Sequence, residues 1–230
     1  MENKQGELEL SIVMPCRDEV ETVGLCVKAA RDFMEKNGIR GEVLVVDNGS
    51  SDGSGMAARR SGARVISVQR PGYGRALRAG LRASRGRVII MGDCDCTYDF
   101  GEIGKMVCML TREGYDVVIG DRFRGGIEKG AMPLSHYVGV RWLSWLGRRR
   151  FHTNVRDFHC GLRGMTRQAL KRLRLRTTGM EFATEMIALA AGAGLRIGQV
   201  PVSLRRCRYD RHSKLRAVRD GMRHMKVLMS

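Results

Sequence analysis

The sequence has little that would place it in a membrane, in the secretory pathway or among structural zinc proteins. No apolar run approaches the ~18–20 residues that cross a bilayer, and the opening residues MENKQGE lack the basic flank and apolar stretch of a secretory signal. The seven cysteines are an odd number, and several lie in apolar runs, so we expect no disulfide framework and a reducing cytosol. Cys94 and Cys96 have the wrong spacing for a zinc knuckle.

Negative charge is also scarce. The 230 residues contain 41 Lys and Arg but only 24 Asp and Glu, which leaves a net charge of +17. Such a balance predicts anionic partners, namely phosphates, nucleic acid or lipid headgroups. A nucleic-acid-binding protein is disfavoured, because the positive charge is spread along the chain and no nucleic-acid-binding module is recognisable.

Short apolar runs alternate with amphipathic stretches through the first half of the chain. This pattern predicts an α/β fold with a mostly parallel central sheet and helices on both faces. Predicted strands cover residues 10–14, 43–46, 65–68, 88–91 and 117–119, and predicted helices cover 18–36, 53–61, 74–84 and 101–113. Residues 121–135 are predicted to form a mobile loop, followed by strands near 158–165 and 195–204 and a helix near 180–191. We expect one domain over residues 1–230.

Acids, glycines and arginines follow four of the predicted strands. Ligands of open α/β sheets bind at the carboxyl ends of the strands, so these residues are candidates for a phosphate-binding crevice. Asp93 and Asp95 are the sharpest feature, because alternate residues of an extended segment point the same way and can face one Mg²⁺ or Mn²⁺ ion. The other candidates at the strand ends are Pro15, Arg17, Glu19, Asp47, Gly74 and Arg75.

Six segments, in order along nearly the whole chain, resemble the motifs of family 2 glycosyltransferases. The first three are SIVMPCRDE (residues 11–19), VVDNGSSDGS (45–54) and GDCD (92–95). The last three, GDRF (120–123), DFHCGLR (157–163) and RYDRHSKL (208–215), resemble the branch that makes polyprenyl-phosphate sugars, the dolichyl-phosphate mannose synthase-like enzymes. Asn48 departs from the pattern, since a second Asp is usual there.

The resemblance implies a GT-A fold and inverting transfer of a sugar from a UDP- or GDP-sugar. Residues of about 8–120 would bind the nucleotide sugar, and residues of about 121–230 would form the acceptor half. Carried over by position, Pro15 and Asp47 would line the base pocket with Glu19 nearby, Asp93 would lie near the ribose and the metal, and Asp95 would bind the metal. Arg122 and Arg208 would hold phosphate oxygens, and Arg163, Ser213 and Lys214 would contact the acceptor.

Two acceptors stay open. A polyprenyl phosphate, dolichyl or undecaprenyl, is already anionic and needs no strong general base. A hydroxyl of a glycan, small molecule or peptide needs a carboxylate to take its proton, and Asp157 is the candidate.

The composition of the second half suits a lipid acceptor. Trp142 and Trp145 lie one helical turn apart before Arg148, Arg149 and Arg150, a combination typical of the headgroup interface. A second stripe runs along the C-terminal segment through Leu215, Val218, Met222, Met225 and Met229. Ordinary core packing is the alternative interpretation of either stripe. We therefore expect a cytoplasmic protein that is peripheral to an anionic membrane surface. A membrane-protein partner and a homo-oligomer both stay open.

Overall fold

A computed structural model describes residues 8–207, residue 209 and residues 217–229. The seven strands are β1 (Leu10–Cys16), β2 (Gly41–Asp47), β3 (Arg64–Ser67), β4 (Val88–Met91), β5 (Val117–Asp121), β6 (Arg163–Thr166) and β7 (Ile197–Pro201). The first helices are α1 (Val20–Lys36), α2 (Ser54–Arg60), α3 (Tyr73–Ala83), α4 (Gly104–Thr111) and α5 (Arg122–Gly125), with a 3₁₀ turn at Phe100–Glu102. The later helices are α6 (Leu134–Phe151), α7 (Arg167–Arg172), α8 (Phe182–Gly192) and α9 (Ala217–Met229).

The strands form one sheet in the order β3-β2-β1-β4-β6-β5-β7. Every neighbouring pair is parallel except the two made by β6, which runs antiparallel to β4 and to β5. The central strands are apolar because helices cover both faces, and all four residues of β4 are buried. The predicted α/β class and mostly parallel sheet are thus confirmed.

Three segments differ from the sequence-based prediction. Only Arg163–Thr166 of the strand expected near 158–165 is a strand, because the backbone N–H groups before it bond to side chains: Phe158 donates to Ser144 Oγ and Gly161 to the Tyr98 hydroxyl. The strand expected over 195–204 ends at Pro201, and Val202 N–H then donates to the Asp121 carbonyl. The expected loop over 121–135 begins with helix α5, which the Asp121 carboxylate caps.

Helix α9 packs against α6 and α8 with an unexpected face. Among the α9 residues whose side chains the structure describes, Asp220, His224 and Leu228 are buried and lie one turn apart, whereas Met222 is 62% and Met229 is 76% exposed. Leu215 and the side chain of Val218 lie outside the described residues. Of the predicted apolar stripe, Met222 and Met229 therefore face outward and Met225 is half-buried, while the face toward the protein carries two polar residues and one leucine.

A pair of histidines holds α9 against the body of the protein. The His224 ring meets the His159 ring edge to face, with 4.4 Å between their centroids, and His224 Nδ1 lies 2.7 Å from Thr184 Oγ1. Burial lowers the pKa of His224 to about 4, although Glu181 and Asp220 favour its charged form. Burial also lowers the pKa of His159 well below its ordinary value. Both rings are therefore neutral at pH 7.

We expect acid to weaken this packing. The unfolded chain takes up a proton at a histidine near pH 6.5, whereas folded His224 resists it down to about pH 4, so stability falls as pH falls between these values. The loss due to His224 between pH 7 and pH 5 should be on the order of 2 kcal/mol. Urea unfolding of wild type and His224→Gln at both pH values measures it. The exposed His152→Asn variant is the control, because asparagine also tolerates the positive φ at that position. An identical acid sensitivity in His224→Gln and wild type would contradict the assignment.

Candidate active site

A cleft of about 460 Å³ opens at the carboxyl ends of β1, β2 and β4. Its lining also includes the loop that leads from β3 into α3, the loop before α8, and one face of α9. The lining residues are Pro15, Cys16, Arg17, Glu19, Asn48, Pro71, Gly72, Tyr73, Arg75, Ala76, Asp93, Cys94, Asp95, Thr178, Gly179, Met180, Arg219, Asp220 and Arg223. The crevice lies where the strand-end rule predicts it.

Six of the sequence-predicted site residues line this cleft together. They are Pro15, Arg17, Glu19, Arg75, Asp93 and Asp95. Asp47 and Gly74 lie next to the lining: Asp47 ends β2 and accepts a hydrogen bond from the Ser50 backbone, and Gly74 lies in the first turn of α3. A Cβ at Gly74 would come within 2.9 Å of the Thr177 and Gly179 carbonyl oxygens. Glycine there lets α3 approach the loop before α8.

Asp93 and Asp95 bring two carboxylates to the cleft. Asp95 Oδ1 accepts hydrogen bonds from the backbone N–H and the hydroxyl of Thr97, which fix its orientation. Asp93 hydrogen-bonds with Tyr73, and the pKa of that phenol is raised by burial and by the Asp93 charge. Gly161 packs against Asp93 so closely that a Cβ there would collide with Asp93 Oδ2.

These two acids fit a divalent cation that completes its coordination with a ligand. Mg²⁺ usually binds through one or two carboxylates together with substrate phosphates. Within the described part of the chain, no group of three or more His, Cys, Asp and Glu side chains is placed to hold a metal by itself. The donor set therefore suits a hard cation shared with a bound phosphate.

Arg75 offers a hydrogen-bond donor at the same cleft. Its Nε is buried and has no hydrogen-bond partner among the residues the structure describes, while its backbone N–H donates to the Thr178 carbonyl at 3.2 Å. A buried donor without a partner is costly unless a ligand fills it. A phosphate oxygen is a suitable acceptor, because guanidinium groups bind phosphate bidentately.

Asn48 has a role that sequence reasoning missed. Its Nδ2 donates to the carbonyl oxygens of Val68 and Arg70 at 2.9 Å, and its Oδ1 accepts from the Gly72 backbone N–H at 2.7 Å. The side chain thus ties the end of β2 to the loop before α3. An aspartate could not donate to two carbonyls, which explains the departure from the usual residue. Nothing local in the sequence signals this contact, because its partners lie 20–24 residues away.

Arg122 and Asp157 form a buried ion pair and are not among the residues that line the cleft. Arg122 Nε donates to Asp157 Oδ2 at 2.6 Å and Nη2 donates to Oδ1 at 2.8 Å. Asp157 also accepts from the backbone N–H groups of Arg122 and His159. Asp157 is fully buried and Arg122 is 5% exposed. In this arrangement the two groups bind each other, and their predicted catalytic roles stay predictions.

Arg163 also lies inside the protein. Its guanidinium donates to the carbonyl oxygens of Phe158, Cys160 and Ala183, and the residue is 2% exposed. The structure therefore places the first residue of β6 in the interior, bound to backbone carbonyls, and its predicted acceptor contact stays a prediction. Arg208, Ser213 and Lys214 lie outside the described residues.

Thiols pack around the two aspartates. Cys94 Sγ donates to the Pro15 carbonyl at 3.2 Å, and Cys96 Sγ lies 3.6 Å from Cys26 Sγ on α1. All seven cysteines are described, and each is a free thiol. Cys96 adopts a φ of 61°, so the chain turns sharply directly after Asp95.

An apolar and basic surface runs along the outside of α6. Val140, Ser144 and Gly147 are its buried residues, while Trp142 is 52% and Trp145 is 45% exposed. The Arg149 guanidinium lies 5.2 Å from the centre of the Trp145 ring. We call the exposed stripe of Leu134, Val138, Trp142, Trp145 and Arg149 the α6 stripe. None of the helices in the described ranges is at once long enough and apolar enough to span a bilayer.

Comparison with known proteins agrees with this geometry. The family model described as Glycosyl transferase family 2 matches residues 11–174. The low-salt glycan biosynthesis hexosyltransferase Agl6 of Haloferax volcanii is 35% identical over 96% of this chain, which spans 53% of that protein's length. A dolichyl-phosphate hexose transferase of the same organism is 32% identical over 86% of this chain and 83% of its own.

A solved structure with the same fold is glucosyl-3-phosphoglycerate synthase from Mycobacterium tuberculosis, in complex with Mg²⁺ and UDP. The TM-score is 0.74, with 22% sequence identity over 96% of this chain and 78% of that one. At this identity the likeness shows the fold. The expected GT-A architecture is thereby confirmed.

The buried Arg122–Asp157 pair generates a prediction about stability. Arg122→Ala would leave the Asp157 carboxylate buried and uncompensated, so we expect the free energy of unfolding to fall by about 3–5 kcal/mol. Lys28→Ala is the matched control, because Lys28 pairs with Asp32 on the exposed face of α1 and should cost less than about 0.5 kcal/mol. Urea unfolding measures both. A loss in Arg122→Ala no larger than in the control would show that the pair does not support the fold.

Proposed function

The chain belongs to glycosyl transferase family 2, and from that premise we propose that it transfers a sugar, with inversion, from a UDP- or GDP-sugar to a polyprenyl phosphate. The observation that carries the proposal is the cleft, in which Asp93 and Asp95 meet arginine side chains at the carboxyl ends of the strands. Its volume of about 460 Å³ lies in the ordinary range for small-molecule sites. A UDP and Mg²⁺ complex of a protein with the same fold supports a nucleotide-sugar donor.

The chemistry requires that the departing nucleotide be stabilised. Breaking the bond between the anomeric carbon and the diphosphate leaves negative charge on the phosphates. Asp93 and Asp95 would hold Mg²⁺ or Mn²⁺, which supplies Lewis-acid stabilisation of the leaving group when bound. Arg17 and Arg75 line the same cleft, and the unpartnered Arg75 Nε would donate to a phosphate oxygen.

The surroundings of Asp157 bear on which acceptor the protein uses. A hydroxyl acceptor needs a general base within hydrogen-bond reach of its proton. Asp157 is fully buried, and both of its oxygens accept hydrogen bonds from Arg122. This geometry favours an acceptor that is already anionic, as a lipid phosphate is. Similarity to a dolichyl-phosphate hexose transferase supports the same choice.

The α6 stripe supports a membrane-bound acceptor. Exposed tryptophans beside arginines suit the interface between headgroups and acyl chains. Met222 and Met229 add exposed apolar area on α9, which packs against α6. We propose that this side of the protein rests on the cytosolic face of an anionic membrane while the cleft receives the lipid phosphate.

The metal role is tested with Asp95→Asn. Removing an anionic ligand from the cation should lower turnover by about 100-fold or more, while the unfolding free energy should change little because the residue follows a strand end. Donor hydrolysis and transfer to undecaprenyl phosphate are assayed over a panel of UDP- and GDP-sugars, with Mg²⁺, with Mn²⁺ and with EDTA. Asp32→Asn, an exposed acid on α1, is the matched control and should retain activity. Full wild-type turnover in EDTA would refute the metal role.

The acceptor and the membrane surface are tested together. Wild type should sediment with phosphatidylglycerol vesicles at low salt and bind phosphatidylcholine vesicles weakly, because salt and neutral headgroups both remove the attraction to basic residues. Replacing both Trp142 and Trp145 by alanine should weaken vesicle binding by about tenfold or more and raise the KM for undecaprenyl phosphate in vesicles. Leu25→Ala, an exposed leucine on α1, serves as the control.

The two acceptor hypotheses give opposite results in this assay. Failure to bind anionic vesicles would replace the lipid phosphate by a soluble acceptor if the protein also glycosylates a soluble hydroxyl acceptor and loses that activity in an Asp157→Asn variant that urea unfolding shows to be folded. Transfer to undecaprenyl phosphate that survives in Asp157→Asn would support the proposal.

A further inference from the structure

Helix α9 contributes directly to the cleft. Arg219, Asp220 and Arg223 line it together with Asp93 and Asp95, although α9 is separated from β4 by more than a hundred residues. Arg219 and Arg223 are four residues apart, so they lie on one face of the helix. The sequence pattern predicted only a membrane-facing stripe in this segment.

Among the residues that the structure describes, each of the two arginines has only a long ion pair. The Arg219 Nε to Asp220 Oδ1 distance is 3.9 Å, and the Arg223 Nη1 to Glu181 Oε2 distance is 3.7 Å. Both distances exceed a hydrogen bond. The two side chains are 56% and 46% exposed, so their guanidinium groups are accessible to a ligand in the cleft.

A glycine makes room for one of them. A Cβ at Gly179 would collide with Arg223 Nη1 and would lie 2.5 Å from Glu181 Oε2. Gly179 also lines the cleft, and its backbone N–H donates to Glu181 Oε1 at 3.1 Å. The absence of a side chain at Gly179 thus lets the Arg223 guanidinium reach the wall of the cleft.

Charge balance shows why such groups are needed. Two carboxylates, Asp93 and Asp95, cancel the charge of one divalent cation, so a metal bound there does not neutralise the charge of a phosphate ligand. Positive charge must therefore come from elsewhere in the lining. Two further acids, Glu19 and Asp220, also line the cleft. With one divalent cation bound, Arg17 and Arg75 only balance the four acids, and the lining becomes positive only when Arg219 and Arg223 are included.

We propose that Arg219 and Arg223 bind phosphate oxygens of the ligand in the cleft, which makes α9 a wall of the active site. The inference rests on the proposed function and names a further pair of binding residues for it. The phosphate belongs either to the diphosphate of the donor or to the lipid phosphate of the acceptor. Arginine suits both, because its fork of donors matches phosphate oxygens.

The donor arm of the test is equilibrium binding. UDP and GDP are titrated calorimetrically, in the presence of Mg²⁺, into the wild type and four variants. The variants replace one arginine at a time: Arg219→Ala, Arg219→Lys, Arg223→Ala and Arg223→Lys. Loss of a charge-assisted contact should weaken the affinity by about tenfold or more. Lysine should restore only part of it, since it binds as a point charge. Lys226→Ala, an exposed cation on the same helix, is the matched control and should change the affinity less than about twofold.

The acceptor arm is the KM for undecaprenyl phosphate in vesicles. If the arginines bind the lipid phosphate, nucleotide affinity should stay unchanged while this KM rises by about tenfold or more in the alanine variants. Urea unfolding of each variant shows whether α9 remains packed, and Gly179→Ala gives an independent displacement of Arg223.

Unchanged nucleotide affinity together with unchanged KM in folded variants would overturn the inference and leave the proposed function intact. A loss of vesicle binding without a change in nucleotide affinity or in KM would also overturn the inference, and would indicate that these arginines bind the membrane surface. A wild type that binds neither UDP nor GDP and transfers no sugar would overturn the proposed function first, and the inference with it.

Discussion

The buried ion pair between Arg122 and Asp157 supports the part of the fold on which the site depends. Arg122 follows β5, and Asp157 lies in the middle of the loop that leads to β6, the one strand that runs antiparallel to its neighbours in the described sheet. Four hydrogen bonds to one buried carboxylate hold this loop against the end of β5. A side chain at Gly161, in the same loop, would collide with the Asp93 carboxylate. The loop that the ion pair fixes thus also packs against Asp93, one of the two proposed metal ligands.

Close approach between distant segments is the second constraint. Asn48 ties β2 to the loop before α3, Gly74 lets α3 meet the loop before α8, and Gly179 lets α9 meet the same loop. The Asn48 amide supplies two donors, a Cβ at Gly74 would meet backbone carbonyl oxygens, and a Cβ at Gly179 would displace the side-chain ends of Arg223 and Glu181. Segments that lie far apart in the sequence are thus brought together at the cleft, and the charged side chains of its lining lie among them.

Helices α6 and α9 of the second half present different surfaces. The α6 stripe carries the tryptophans, whereas α9 turns Asp220 and His224 inward and Met222 and Met229 outward. This orientation costs the burial of a polar stripe, and neutral histidines reduce that cost because an uncharged ring is cheaper to desolvate than a charged one. The same orientation of α9 places Arg219 and Arg223 at the cleft.

The sequence by itself determined the α/β class, most strand positions and six residues of the cleft lining, Asp93 and Asp95 included. These follow from local signals: apolar periodicity marks the strands, and parallel strands present their carboxyl ends to one edge of the sheet. Only the tertiary structure decided that Arg122 and Asp157 bind each other, that Arg163 is buried, that Asn48 joins two loops and which face of α9 is buried. Each of these depends on partners far away in the chain, and a residue's type and spacing do not say which distant group it will meet. An arginine in a motif gives the same sequence signal whether its partner is a ligand phosphate or a buried carboxylate. Only the packing of the folded chain decides which of the two partners it has.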